Sequence, residues 1–230
     1  MSSTMSELPT TAQPPAESEP CIQCKAGRPR ASEAEARQLE LMNTAARLFL
    51  EKGYSKVSLE MIAREAHVAV RTIYVKFGGK AGLFHAILTY KREDFMASLD
   101  DLDTTVRPLR DILLDFSQRF TDLITSSSAL RLHRMVIAEA HFNPELAEAF
   151  YEGGPKQTRE MLTRFFSRPD IRGQMRDDIP PNMLTIYLLN LVMGDHMKRY
   201  LFDVETHNTP EQVQQHLKAA IDLFLRGTMR

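Results

Sequence analysis

Arg71, Thr72, Val75 and Lys76 stand close together in the stretch VAVRTIYVKF, residues 68–77. At 3.6 residues per turn, Val70, Ile73, Tyr74 and Phe77 share one stripe of a helix and the other four share the opposite one. The apolar stripe suits a packed face. The outward stripe offers two cations, a hydroxyl and a small apolar group. That set fits the edge of a DNA duplex. An arginine can grip the two acceptors of a guanine, Val75 can touch a thymine methyl, and Thr72, Tyr74 and Lys76 can bond phosphates.

Such a face works only if neighbouring elements hold it out. SLEMIAREA precedes it, with Ser58 as a good N-cap, Glu60 near the helix start, and Leu59, Ile62, Ala63 and Ala66 on one face. HVA makes a tight break between the two. Two short helices joined in this way read as a helix-turn-helix, with the second helix in the major groove. Upstream, Leu39, Met42, Ala46 and Phe49 fall at helical spacing, and Gly53 ends that helix as a C′ glycine does. From Lys80 onward nearly every segment has helical spacing. Breaks are expected near 104–108, 126–128, 143–144, 153–155, 169–173, 179–181 and 208–210, giving six further helices. No segment alternates as a strand would. The expected fold is all-α: an N-terminal three-helix helix-turn-helix domain over residues 32–80 and a helical domain over 81–230. Residues 1–31, rich in Pro, Ser and Glu, are expected to be a disordered arm.

Charge is unevenly spread. Residues 25–92 carry 13 Lys/Arg against 6 Glu, whereas the chain as a whole has a formal net charge of −1. A basic block between acidic ones predicts a local polyanion-binding surface.

The stretch AARLFLEKGYSKVSLEMIAREAHVAVRTIYVKFGGKAGLF (residues 45–84) resembles the DNA-binding domain of the TetR family of transcriptional repressors. The shared features are AA-LF-E-GY, S--MIA--A-V, TIY--F and K--LF in one spacing. RLHRMVIAEAHFNPELAEAFYEGGPKQTREML is similar to the ligand-binding half of AcrR-like and AefR-like members. The resemblance implies a homodimer, a palindromic double-stranded DNA operator, and a helical C-terminal domain that dimerises and binds a small effector. It carries DNA contacts onto Val70, Arg71, Thr72, Tyr74, Val75 and Lys76, and a phosphate contact onto Lys80. Ser58 and Glu60 fall at the start of the helix that crosses the DNA backbone. Glu60 is a candidate for a cytosine amino group or, equally, a favourable charge at a helix start. The sequence departs from the family pattern twice. His67 stands where a turn glycine is common, and Ala69 stands where a capping Ser or Thr is common; such a cap is worth about 0.5–2 kcal/mol.

The basic GRPR just ahead of the first helix reads in two ways. Arg28 and Arg30 could enter a minor groove, or the segment could be a solubilising linker.

Other chemistry is sparse. Cys21 and Cys24 in CIQC lack the second ligand pair that zinc needs, which leaves a redox- or metal-responsive protein as the rival reading. Asp177 and Asp178 are adjacent on a turn and are expected to be solvated. Neither nucleophile motifs nor histidine ligand spacings occur, so no enzyme, cofactor or metal is expected. The start has no apolar signal segment and no run could span a bilayer, so the expected location is cytoplasmic, with no membrane partner. In the second half, Phe116, Phe120, Arg134, Met135, Phe142, Tyr151 and Tyr187 are the candidates for an effector pocket, with Arg134 as a polar anchor. The effector would be small and apolar or amphipathic. The apolar faces of MLTIYLLNLVMGDHMKRYLF and VQQHLKAAIDLFLRG are the candidate dimer interface, through Leu184, Leu188, Leu191, Leu217, Ile221 and Phe224, with Gly194 permitting close approach.

Overall fold

Helix α1 (Ala31–Lys52) buries Leu41, Ala45, Leu48 and Phe49 at the helical repeat, so its inward stripe sits one residue out of phase from part of the expected one. The computed structural model describes residues 31–97, 107–203 and 209–230. Gly53 ends α1 at φ +85°, donating its N–H to the Phe49 carbonyl. Helix α2 (Leu59–Glu65) starts at Ser58, whose hydroxyl accepts from the Met61 N–H at 3.2 Å. His67 takes the left-handed turn conformation, φ 53°, which a side chain with a Cβ adopts at some cost. Helix α3 (Val70–Phe77) begins at Ala69 without a side-chain cap, and α4 (Lys80–Ala97) follows directly.

Eight further helices complete the described residues: α5 (Leu109–Thr125), α6 (Ser127–Glu139), α7 (Pro144–Gly153), α8 (Pro155–Ser167), α9 (Pro169–Arg172), α10 (Pro181–Met193), α11 (His196–Phe202) and α12 (Pro210–Thr228). Five of them open on proline, whose missing N–H would have no partner in a first turn anyway. At α12 a capping box pairs Thr209 with Gln212. The expected single helix over 183–202 is two. Gly194, at φ +46°, breaks it, and a Cβ there would lie 2.9 Å from the His216 ring. His216 uses that space to bond the Leu191 carbonyl at 3.0 Å, so Gly194 serves a close approach within one chain.

Two apolar cores result. The first gathers α1 to α4 around a triangle of Phe49, Tyr54 and Phe84, with ring centroids 5.2–5.9 Å apart. It also takes Val136 from α6 and Leu146 and Ala149 from α7. The second joins Phe95 of α4 to α5, α8, α10 and α12. Helix α4 thus belongs to both cores, and the packing does not divide at residue 80. Beside it, Gly153 of α7 is buried so closely that an added Cβ would meet Leu88 Cβ at 3.0 Å.

Candidate nucleic-acid interface and effector cavity

Ile73 is the pin of α3: it is fully buried in the first core, with Val70 and Phe77 packed beside it. Tyr74, expected on that stripe, turns outward and is 56% exposed, next to Val75 at 74%. Arg71 and Lys76 are exposed with them, and Thr72 is half-buried. The helix therefore presents a hydroxyl, two cations, a phenol and an uncovered valine to solvent. Lys76 reaches Gln38 of α1 at 3.3 Å. Arg47 of α1 holds both Glu51 and Glu65, which ties α1 to the end of α2. The Glu60 carboxylate is held below its usual range by its own backbone N–H and then by Ser58, so at rest it serves the helix start.

Lys80 does not follow the expectation of a phosphate contact. Its ammonium donates to the carbonyls of Tyr54 at 2.9 Å and Val57 at 3.1 Å, and lies 4.1 Å from the Tyr54 ring centre. Burial pushes the Tyr54 phenol up to about 12, so the ring under the ammonium is neutral. Lys80 thereby caps the α1–α2 loop from inside. That loop has a second clamp at the end of α6. The Glu139 carboxylate accepts from the Ser55 N–H at 2.7 Å and from its hydroxyl at 2.5 Å, and Asn143 donates to Ser55 Oγ at 2.9 Å.

Between the two cores lies a cavity of about 490 Å³. Its wall is mostly apolar: Phe84 and Phe95 of α4, Phe120 of α5, Leu132 of α6, Leu189 and Met193 of α10. His133 also lines it, packed edge-on to Phe150. Its Nδ1 lies 2.8 Å from the Ala129 carbonyl, which requires the proton on Nδ1, and burial lowers its pKa, so the ring is neutral. Three cations complete the wall, Lys91 and Arg92 from α4 and Arg159 from α8.

Of the residues expected to line an effector pocket, only Phe120 does so. Phe116 is buried in the second core and Met135 packs on the first. Phe142, Tyr151 and Tyr187 are on the outer surface. Arg134 donates to the carbonyls of Tyr200 and Leu201, with Asp203 at 3.6 Å, and so caps the end of α11. The physical reason is that composition marks a helix as amphipathic without saying whether its apolar stripe meets a cavity, a core or solvent. The cations and His133 were missed because Lys91 and Arg92 open the charged run KRED and His133 and Arg159 each stand beside a charged residue, so in the sequence they look like parts of solvated faces.

The expected dimer contacts need a similar correction. Leu184, Leu188, Leu217, Ile221 and Phe224 are each 0–2% exposed, and Leu191 packs against the same second core. They join α10 to α12 inside one chain. The same helices leave Tyr187 and Leu223 exposed on their outer faces. Asp177 and Asp178 are solvated as expected, their side chains 79% and 64% exposed, and each also meets an arginine, Arg230 and Arg176 respectively, both at 2.6 Å. Arg28, Arg30, Cys21 and Cys24 lie outside the described residues. Among the described residues no cluster of three His, Cys, Asp or Glu could hold a metal, and no helix is long and apolar enough to cross a membrane.

Known proteins share this arrangement. Residues 41–87 match the family described as bacterial regulatory proteins, tetR family, and residues 111–227 match the AefR-like transcriptional repressor C-terminal domain. The HTH-type transcriptional regulator TtgR of Pseudomonas putida is 27% identical over 199 residues, 84% of this chain and 93% of its own. Among solved structures, NalD, the secondary repressor of the MexAB-OprM multidrug efflux pump in Pseudomonas aeruginosa, is 26% identical at a TM-score of 0.59, covering 86% of this chain and 98% of its own. The flavonoid-responsive regulator FrrA is 25% identical at a TM-score of 0.68, covering 85% and 98%. The first match spans α3 with its buried Ile73, the second spans most of the second core, and the chain belongs to the TetR family of transcriptional regulators.

Proposed function

We propose that the protein is a homodimeric repressor that leaves a palindromic operator when a small amphipathic effector fills the cavity. The observation that carries this reading is the position of α4. It starts directly after the reading helix, gives Phe84 and Leu88 to the first core, and lines the cavity with Lys91, Arg92 and Phe95. A dimer must hold its two reading helices about 34–36 Å apart to meet successive major grooves. An effector wedged against α4 changes that spacing. Arg71 and Val75 read base edges; Thr72, Tyr74, Lys76 and the α2 start at Ser58 meet phosphates, and Val70 sets the depth of α3. Lys80 acts indirectly, by holding the loop ahead of α2.

The dimer forms through the outer faces of α10 and α12, where Tyr187 and Leu223 are uncovered. The test titrates a small amphipathic fluorescent probe into free protein and into protein bound to the DNA upstream of its own gene, with sedimentation alongside. Linkage requires that ligand and DNA weaken each other equally, typically by about 1–3 kcal/mol. The expected result is a lower ligand affinity on DNA with the dimer intact. Equal ligand affinity in both states, or release as monomers, overturns the reading.

A further inference from the structure

The cavity wall is chemically lopsided. Among the described residues it has three cations, Lys91, Arg92 and Arg159, and no Asp or Glu. Lys91 and Arg159 are exposed, and solvent screens part of their charge. Here Arg92 has a side chain only 22% exposed, and its ion pair is a long one, 3.8 Å to Glu93, which itself is 65% exposed. Arg159 stacks its guanidinium 5.5 Å from the Tyr151 ring centre and donates to the Tyr151 hydroxyl, a partner that brings no carboxylate to offset its charge. His133 is neutral and adds no charge to the wall. A half-buried guanidinium without a close carboxylate is costly, and it becomes favourable when an anion meets it in the bidentate geometry that arginine prefers.

Resting on the effector reading above, we infer that the cavity takes an amphipathic anion: an organic acid whose carboxylate or sulfonate meets Arg92, supported by Lys91 and Arg159, and whose apolar body lies against Phe84, Phe95, Phe120 and Leu132. The acid end lies on α4, so the charge that selects the ligand sits on the helix that begins at the reading head. Neutral molecules of the same shape fit the apolar wall but leave Arg92 without its partner. A polar site that loses its partner rejects the mismatched ligand more strongly than an apolar wall rejects a changed shape.

The test uses two fluorescent probes that share one skeleton. 8-Anilinonaphthalene-1-sulfonate carries the anion, and N-phenyl-1-naphthylamine lacks it. On the full-length protein the sulfonate should bind at least about tenfold more tightly, a margin that fades with added salt as expected for charge pairing. Arg92→Met should erase the margin while leaving the neutral probe's affinity unchanged, and Arg92→Lys should restore part of it. Ala129→Phe, which fills the wall, should weaken both probes and so locate them in the cavity. If the two probes bind the wild type equally, or Arg92→Met weakens both alike, the anion inference is overturned and the effector reading stands. If neither probe is affected by Ala129→Phe, the cavity is not a binding site and both readings fall.

Discussion

At the scale of single residues, Arg71 offers the sharpest test of whether α3 reads sequence. Arg71 is exposed and lies on the same outward face as Val75. If it grips a guanine edge, Arg71→Ala should lose about 1–3 kcal/mol of operator affinity and relax preference at one position per half-site. Competition of the variant against operators changed one base at a time measures it. A uniform loss with the same preference would make Arg71 a phosphate contact. Lys80 shows the reverse case, a cation that the family pattern sends to DNA and that this chain turns inward onto Tyr54 and Val57. The resemblance specifies a lysine at that position; whether its ammonium faces a phosphate depends on which carbonyls the loop leaves within reach.

At the scale of elements, α6 connects the cavity to the α1–α2 loop, as α4 connects it to the end of α3. Its middle lines the cavity with Ala129, Leu132 and His133, and its last residue, Glu139, holds Ser55 in the α1–α2 loop. A helix is stiff along its axis, so a displacement at one end reaches the other through backbone hydrogen bonds. Glu139→Ala removes the clamp without touching the cavity wall. The expected outcome is an effector affinity close to wild type for the free protein, with several-fold weaker mutual inhibition between effector and DNA. Unchanged mutual inhibition would leave α4 as the sole route. The break at Gly194 belongs to this scale too. The apolar run on either side of it reads as one helix, and only the approach of His216 from α12 shows why the chain must turn there.

At the scale of the whole molecule, the proposed dimer needs an uncovered surface on each copy. The leucines that make α10 and α12 look like an interface are already covered inside the chain. What remains outward includes Tyr187 and Leu223, the latter 60% exposed. Leu223→Glu places a charge on that face and leaves the second core untouched. Sedimentation should show a monomer with unchanged helical content, and operator affinity should collapse because a single head spans one half-site. A variant that remains dimeric would move the interface elsewhere.

The sequence by itself determined the helical class, the helix-turn-helix and the outward face of α3 apart from Tyr74, because these rest on local physics: a 3.6-residue period, the Ser58 cap, the glycine after α1 and the basic block around them. Prolines at helix starts made most later boundaries legible for the same reason. The cavity and the burial of the apolar faces of α10 and α12 were decided only by tertiary structure. Every apolar stripe in residues 109–228 looks alike to periodicity. Whether a stripe is filled, as at Leu184 and Ile221, left hollow, as around Phe120 and Leu132, or left bare, as at Leu223, depends on how helices distant in sequence pack. Arg92 and Arg159 are far apart along the chain and became one electrostatic feature only when α4 and α8 closed around the same space.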